Sequence, residues 1–219
     1  MIKRNFLLIT SLLLVSISIL AQQSGTNPPD LKKINKALNK DSGLNPNLMQ
    51  RYKINDTSLT VQDYHLLYYG YALQPGFNPE KDTELRQQLN NEFNDAGKGD
   101  ADYAAIKEIS TKILDILPFD IRTLDPAIYS AEMLKDHSTA TKLEFRMGRI
   151  IETIFNSGDG LKEETPFYVI SLANIPDMAR ALGFEAVNIV PEQSGNLYYF
   201  RVKENDFGIN GFYFRIFGK

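Results

Sequence analysis

Between residues 60 and 158 the apolar positions recur at three- and four-residue intervals, the spacing that lines one face of a helix; beyond residue 165 they shift to alternation. Val61, Tyr64, Leu67, Tyr68, Tyr71 and Ala72 share one face, Tyr69 points elsewhere, and Thr60-Val61-Gln62-Asp63 reads as a capping-box start. Pro75-Gly76 stops that helix, and Leu85, Leu89 and Phe93 mark another over residues 82–94. Ile106, Ile109, Ile113, Ile116 and Leu117 line the next, which Pro118 ends. Asp125 then reads as an N-cap with Pro126 at the first helical position; the alternative is a start at Asp120, which puts Pro126 inside the helix. Ser138 is placed to cap a longer helix carrying Leu143, Met147, Ile150, Ile151, Ile154 and Phe155, with Gly158 as its C-cap.

Upstream, residues 31–38 form a short amphipathic pattern followed by turn-rich Asp41-Ser42-Gly43 and Asn45-Pro46-Asn47, while Gly97-Lys98-Gly99-Asp100 is a break. Downstream, residues 165–172, 185–190, 197–204 and 211–217 read as strands, with a short helix over 175–182 stopped by Gly183. Tyr198, Phe200 and Val202 share one strand face against Arg201 and Lys203, and Phe212, Phe214 and Ile216 oppose Tyr213 and Arg215. One buried face and one wetter face follow. Helices first and strands last predict an α+β class: antiparallel helical hairpins over 31–158 with tetratricopeptide-like packing, then a small, mainly antiparallel sheet over 165–219. No second copy at a fixed period supports a true repeat.

The first residues change the picture of where the domain works. Lys3 and Arg4 precede an uncharged apolar run over 6–20, and Ala21 leads into Gln22-Gln23-Ser24-Gly25, the three parts of a cleaved export signal. Residues 22–30, with Pro28-Pro29, read as a flexible leader, leaving one domain over 31–219. Losing residues 1–21 moves the formal charge from −3 to −5. The expected location is the periplasm or the exterior, as a soluble chain with no span after cleavage. With no cysteine among 219 residues, disulfides, thiolate metal sites, cysteine nucleophiles and lipid attachment are excluded. An acidic balance argues against nucleic acid, whose binding draws on clustered Lys and Arg; Lys32-Lys33, Lys36 and Lys40 make only a modest solvated face.

Four stretches, taken in order, carry a resemblance. They are Leu59-Thr60-Val61-Gln62-Asp63-Tyr64-His65-Leu66-Leu67-Tyr68-Tyr69-Gly70-Tyr71, Pro118-Phe119-Asp120-Ile121-Arg122-Thr123-Leu124, Ser157-Gly158-Asp159-Gly160 with Glu163-Glu164-Thr165-Pro166-Phe167, and Tyr198-Tyr199-Phe200-Arg201-Val202. From about residue 55 onward the chain resembles the exported proteins of Gram-negative bacteria grouped as the domain-of-unknown-function family numbered 4919. The resemblance implies export and a shared fold and brings no catalytic residue.

Candidate chemistry is sparse. His65 lies one helical turn from Tyr69, so imidazole and phenol together suit a sugar or an anion, although a boundary histidine satisfied by its surroundings is the ordinary reading. His137 falls in a turn. Tyr64, Tyr68 and Tyr71 share the core stripe, and core packing is their ordinary role. The loop over 157–165 sets Asp159, Glu163 and Glu164 beside glycines, as a hard cation would require, but without the alternating-acid spacing of a calcium loop. No metal site and no cofactor are expected. Phosphate-binding glycine loops, nucleophile elbows and HExxH spacing are all missing. The chain is therefore expected to be an exported binding or interaction module for an envelope protein, peptide or glycan, and an enzyme of familiar type is disfavoured. The alternative is an envelope-associated hydrolase using a carboxylate pair near the helix–sheet junction.

Overall fold

Local capping chemistry starts most of the helices. In the computed structural model, which describes residues 26–40, 45–79, 81, 83–96, 102–191 and 195–218, eight helices and four strands occur among the described residues. They are α1 (Leu31–Lys40), α2 (Pro46–Lys53), α3 (Val61–Ala72), α4 (Thr83–Ala96), α5 (Tyr103–Ile116), α6 (Ile121–Met133), α7 (His137–Phe155), β1 (Phe167–Val169), α8 (Asn174–Ala181), β2 (Ala186–Pro191), β3 (Leu197–Val202) and β4 (Gly211–Ile216). The export segment expected over 1–21, residues 22–25 of the leader, Asp41-Ser42-Gly43 and the break at 97–100 lie outside the described residues.

Thr60 opens α3 as expected: its hydroxyl accepts from the Asp63 N–H at 3.2 Å, and Asp63 Oδ2 accepts from the Thr60 N–H at 2.8 Å. Asn45-Pro46, expected to be a turn, instead starts α2, with Asn45 Oδ1 accepting from the Asn47 and Leu48 N–H groups and Pro46 in the first turn. The α6 start is a correction too. The helix begins at Ile121 after Asp120 and takes Pro126 into its interior, because the turn from Leu117 to Asp120 sets the helical hydrogen bonds going five residues earlier. Asp136, not Ser138, caps α7 by accepting from the Thr139 N–H at 3.2 Å. Its C-cap is Asn156, and Gly158 lies beyond the helix in a buried turn.

The sheet is mixed, in the order β1-β4-β3-β2. β4 pairs antiparallel with β3 (Phe212 opposite Phe200) and parallel with β1 (Phe214 opposite Phe167), while β3 pairs antiparallel with β2. Between β3 and β4, Asn205 Oδ1 accepts from the Phe207 and Ile209 N–H groups and Gly208 takes φ +65°, which organises the turn. The strand expected over 165–172 shrinks to three residues, because the Ile170 N–H is taken at 3.2 Å by the Tyr68 hydroxyl. Its chain then turns into α8.

Packing follows the predicted stripes. α5 packs on α4 and α6, and α6 on α7; nothing in this succession carries the tetratricopeptide likeness further. α3 lies on α7 and α1, and its buried tyrosines meet Phe167, Phe200, Phe212 and Phe214 of the sheet in one core, with Leu89, Ile106 and Ile113 forming a smaller one. Several phenols of this core reach a polar partner: Tyr52 Oη donates to Pro118 O at 2.6 Å, and Tyr71 Oη to Ile116 O at 2.7 Å. Tyr68 bridges most, accepting from Ile170 and donating to Asn174 Oδ1 at 3.0 Å. Tyr68→Phe strands both groups in the core and is expected to cost about 2 kcal/mol in urea denaturation. A loss below ~0.5 kcal/mol would show that water replaces the phenol there.

Candidate functional site

Five separate segments meet at a small, half-open cavity of about 20 Å³ between the helices and the β1–α8 corner. Tyr71 of α3, Phe77 and Pro79 of the following loop, Phe119 and Leu117 of the α5–α6 corner, and Ile170 form its apolar walls, while Arg86, Asp120, Ser171 and Asn174 supply the polar groups. Tyr71 stands edge-on to Phe77 at 5.7 Å and tilted against Phe119 at 5.3 Å, so the aromatic wall is itself packed.

Asp120 is the centre of this arrangement. It holds the N-cap position of α6 yet makes no side-chain cap. Its carboxylate turns instead to Arg86, whose Nη1 donates to Oδ2 at 2.8 Å, and to the Thr123 hydroxyl, with Arg122 Nε 3.8 Å from Oδ1. Arg86 keeps a buried Nε without a hydrogen-bond partner among the described residues. An anion and a cation thus share one wall, offering acceptor and donor side by side.

Behind the cavity, α6 and α8 trap further acids. Asp177, only 5 % exposed, has its pKa pushed up to about 7 by burial; Arg180 and Arg122 oppose the shift, and Asp120 and Asp125 add to it. The nearest counter-charge among the described residues, Arg180 Nη2, is 3.8 Å from Oδ1, and Oδ2 has no hydrogen-bond partner among them. Burial also raises the Asp125 carboxyl, against the pull of Arg180. Below pH ~7 the neutral form is therefore the cheaper state for this carboxyl sealed away from water.

The residues singled out from sequence lie elsewhere. Tyr69, expected to point away from the core, is fully buried; it donates to Tyr168 O at 3.0 Å and stands edge-on to Phe217 at 5.1 Å. A stripe wider than the one drawn accounts for it, since α3 is covered by both the sheet and α7. His65 stays half-buried beside it, ring centroids 4.9 Å apart, with a buried Nε2 lacking a partner among the described residues. Burial lowers its pKa, and a backbone hydrogen bond with Asn27 opposes this. Asn27 also donates its N–H to Asn156 O at 2.6 Å, so residue 27 of the expected leader rests on α7. Asp159 is spent on its own loop, accepting from the Leu161 N–H at 2.9 Å and the Thr165 hydroxyl at 2.6 Å. Glu163 and Glu164 are exposed. Sequence reasoning passed over Arg86, Asp120, Asn174 and Asp177. Only Asp177 left a signal, an acid set between Ile175 and Met178-Ala179 on the buried side of α8.

Among the described residues, no group of three His, Asp or Glu is placed to hold a metal ion, and no helix is long and apolar enough to cross a membrane. Residues 32–218 match the family described as Domain of unknown function (DUF4919). No curated protein and no solved structure matches the chain.

Proposed function

We propose that this chain, which belongs to the DUF4919 family, is an exported binding module that engages a sugar hydroxyl at the mouth of the Arg86–Asp120 cavity. Export rests on Lys3-Arg4, the apolar run over 6–20 and Ala21. The observation that carries the ligand reading is the diverted carboxylate: Asp120 gives up its helix cap to face Arg86 inside an aromatic-walled cavity. A sugar hydroxyl donates and accepts at once, so paired Asp and Arg groups satisfy it in both senses, and Tyr71, Phe77 and Phe119 cover its C–H faces. At about 20 Å³ the enclosed part holds no more than a water or one hydroxyl, so a sugar would reach it from the open side through a single hydroxyl group.

A glycan array followed by calorimetry tests this. Wild-type protein is expected to bind a defined glycan, and Asp120→Asn to weaken it at least about tenfold while melting as a folded protein. Binding untouched by Asp120→Asn would remove the cavity from the account. The hydrolase alternative has one observation in its favour, the raised pKa of Asp177, which could supply a proton near neutrality. Against it, Asp177 does not line the cavity and its Oδ2 is sealed. Release of cleaved product from a labelled envelope polymer, lost in Asp177→Asn, would restore that reading.

A further inference from the structure

Alternation along β3 and β4 that buries Phe200, Phe212 and Phe214 on the core side turns a second set of side chains outward. The register places them in rows: Tyr168 beside Arg215 at the end where Leu197 is buried, then Tyr213 beside Tyr199, then Gly211 beside Arg201. Tyr199 and Tyr213 lie 4.7 Å apart at 45°. Gly211 makes room for the first of them. A β-carbon there would come within 2.7 Å of Tyr199 Cζ and 2.8 Å of its Oη, so the ring lies across the backbone of β4. Tyrosine rings held against a sheet present a surface that stacks, with little rotamer freedom left to lose.

Two guanidinium groups flank the rings. Arg201 is exposed and Arg215 half-buried, and neither has an ion-pair partner among the described residues. Arg215 Nε is buried without a hydrogen bond among the described residues. Lys203, further along β3, differs in having Glu185 at 2.6 Å. In a chain of formal charge −3, a face with two uncompensated cations beside stacked tyrosines is complementary to a polymer bearing both flat apolar faces and negative charge. We propose that this outer sheet face binds a carboxylate-bearing polysaccharide, its rings on Tyr199 and Tyr213 and its carboxylates on Arg201 and Arg215. These residues are separate from the Arg86–Asp120 cavity, so either site can fail without the other.

Native affinity electrophoresis of the full chain through gels containing polygalacturonic acid, neutral galactan or poly-glutamate decides the matter. Polygalacturonic acid is expected to retard the protein, and neutral galactan not to. Arg201→Gln with Arg215→Gln is expected to weaken retention about tenfold or more, and Arg201→Gln alone, at an exposed position, about threefold. Tyr199→Ala is expected to weaken it comparably, while Arg201→Gln, at the exposed position, keeps the circular dichroism of the wild type. The proposal fails if polygalacturonic acid gives no retardation or if retardation survives the double arginine substitution. It fails equally if poly-glutamate retards the protein as strongly and Tyr199→Ala changes nothing, since a charged peptide would then be the partner.

Discussion

Asp177→Asn is expected to make the protein more stable at pH 8 and to leave it nearly unchanged at pH 4. Burial raises the Asp177 pKa from 3.8 to about 7, so the folded chain holds this proton after the unfolded chain has released it. Below pH ~4 both states are protonated and the group contributes nothing. Between pH ~4 and ~7 the unfolded state loses its proton first, so stability falls as pH rises; above ~7 the deficit is constant. Three units at ~1.4 kcal/mol each set an upper size of roughly 4 kcal/mol. Asparagine keeps the shape and removes the charge that must be desolvated, while Arg180 at 3.8 Å loses only a long contact. Urea titrations of both proteins at pH 4.5 and 8 measure the double difference, in which other titrating groups cancel. Parallel wild-type and variant profiles would show that Asp177 ionises freely in the folded protein.

The second large effect belongs to Gly158. Its backbone is not left-handed, so conformational freedom is not the reason for glycine there. An added β-carbon would lie 2.2 Å from Pro166 O and 2.6 Å from Thr165 O, and neither backbone oxygen belongs to a flexible side chain that can swing away. The facing strand of the turn is pinned by the Gly160 N–H donating to Thr165 O at 2.8 Å and by the Thr165 hydroxyl on Asp159. Gly158→Ala must push the turn off β1 and is expected to cost about 4 kcal/mol or to prevent folding. Gly148→Ala, inside α7 with nothing within 4 Å, is the matched control and should gain about 0.5–1 kcal/mol. Melting temperatures within two or three degrees of each other would mean the turn yields easily.

What could be read in advance was what neighbouring residues decide among themselves. The Thr60–Asp63 box, the α5 stripe through Ile106 and Ile113, and the alternation of Phe212, Phe214 and Ile216 all appeared where expected, giving the α+β class. Choices between near-equivalent signals went astray. Asp136 and Ser138 both suit an N-cap, and the turn through Leu134, Lys135 at φ +62°, and Asp136 settled it. Asp125-Pro126 looked like a helix start because a proline is welcome there, yet the corner at Pro118-Phe119 began α6 earlier. Tyr69 could not be assigned to the core without knowing that both Tyr168 and Phe217 come to it from across the chain. The cavity lay further out of reach, since Tyr71, Arg86, Asp120 and Asn174 are joined only by tertiary packing.

β4 carries one more consequence. It is synthesised after β1, β2 and β3, yet it occupies an interior place with β1 on one side and β3 on the other. Until residue 216 is available, β1 has no neighbour to pair with, and the Phe167 side of the helical core stays uncovered. Hydrophobic surface is thus left waiting on a late long-range closure, the kind of step that sets a slow folding rate. A chain held in that half-zipped condition keeps the aromatic underside of its helices wet, and docking of β4 is the event that dries it.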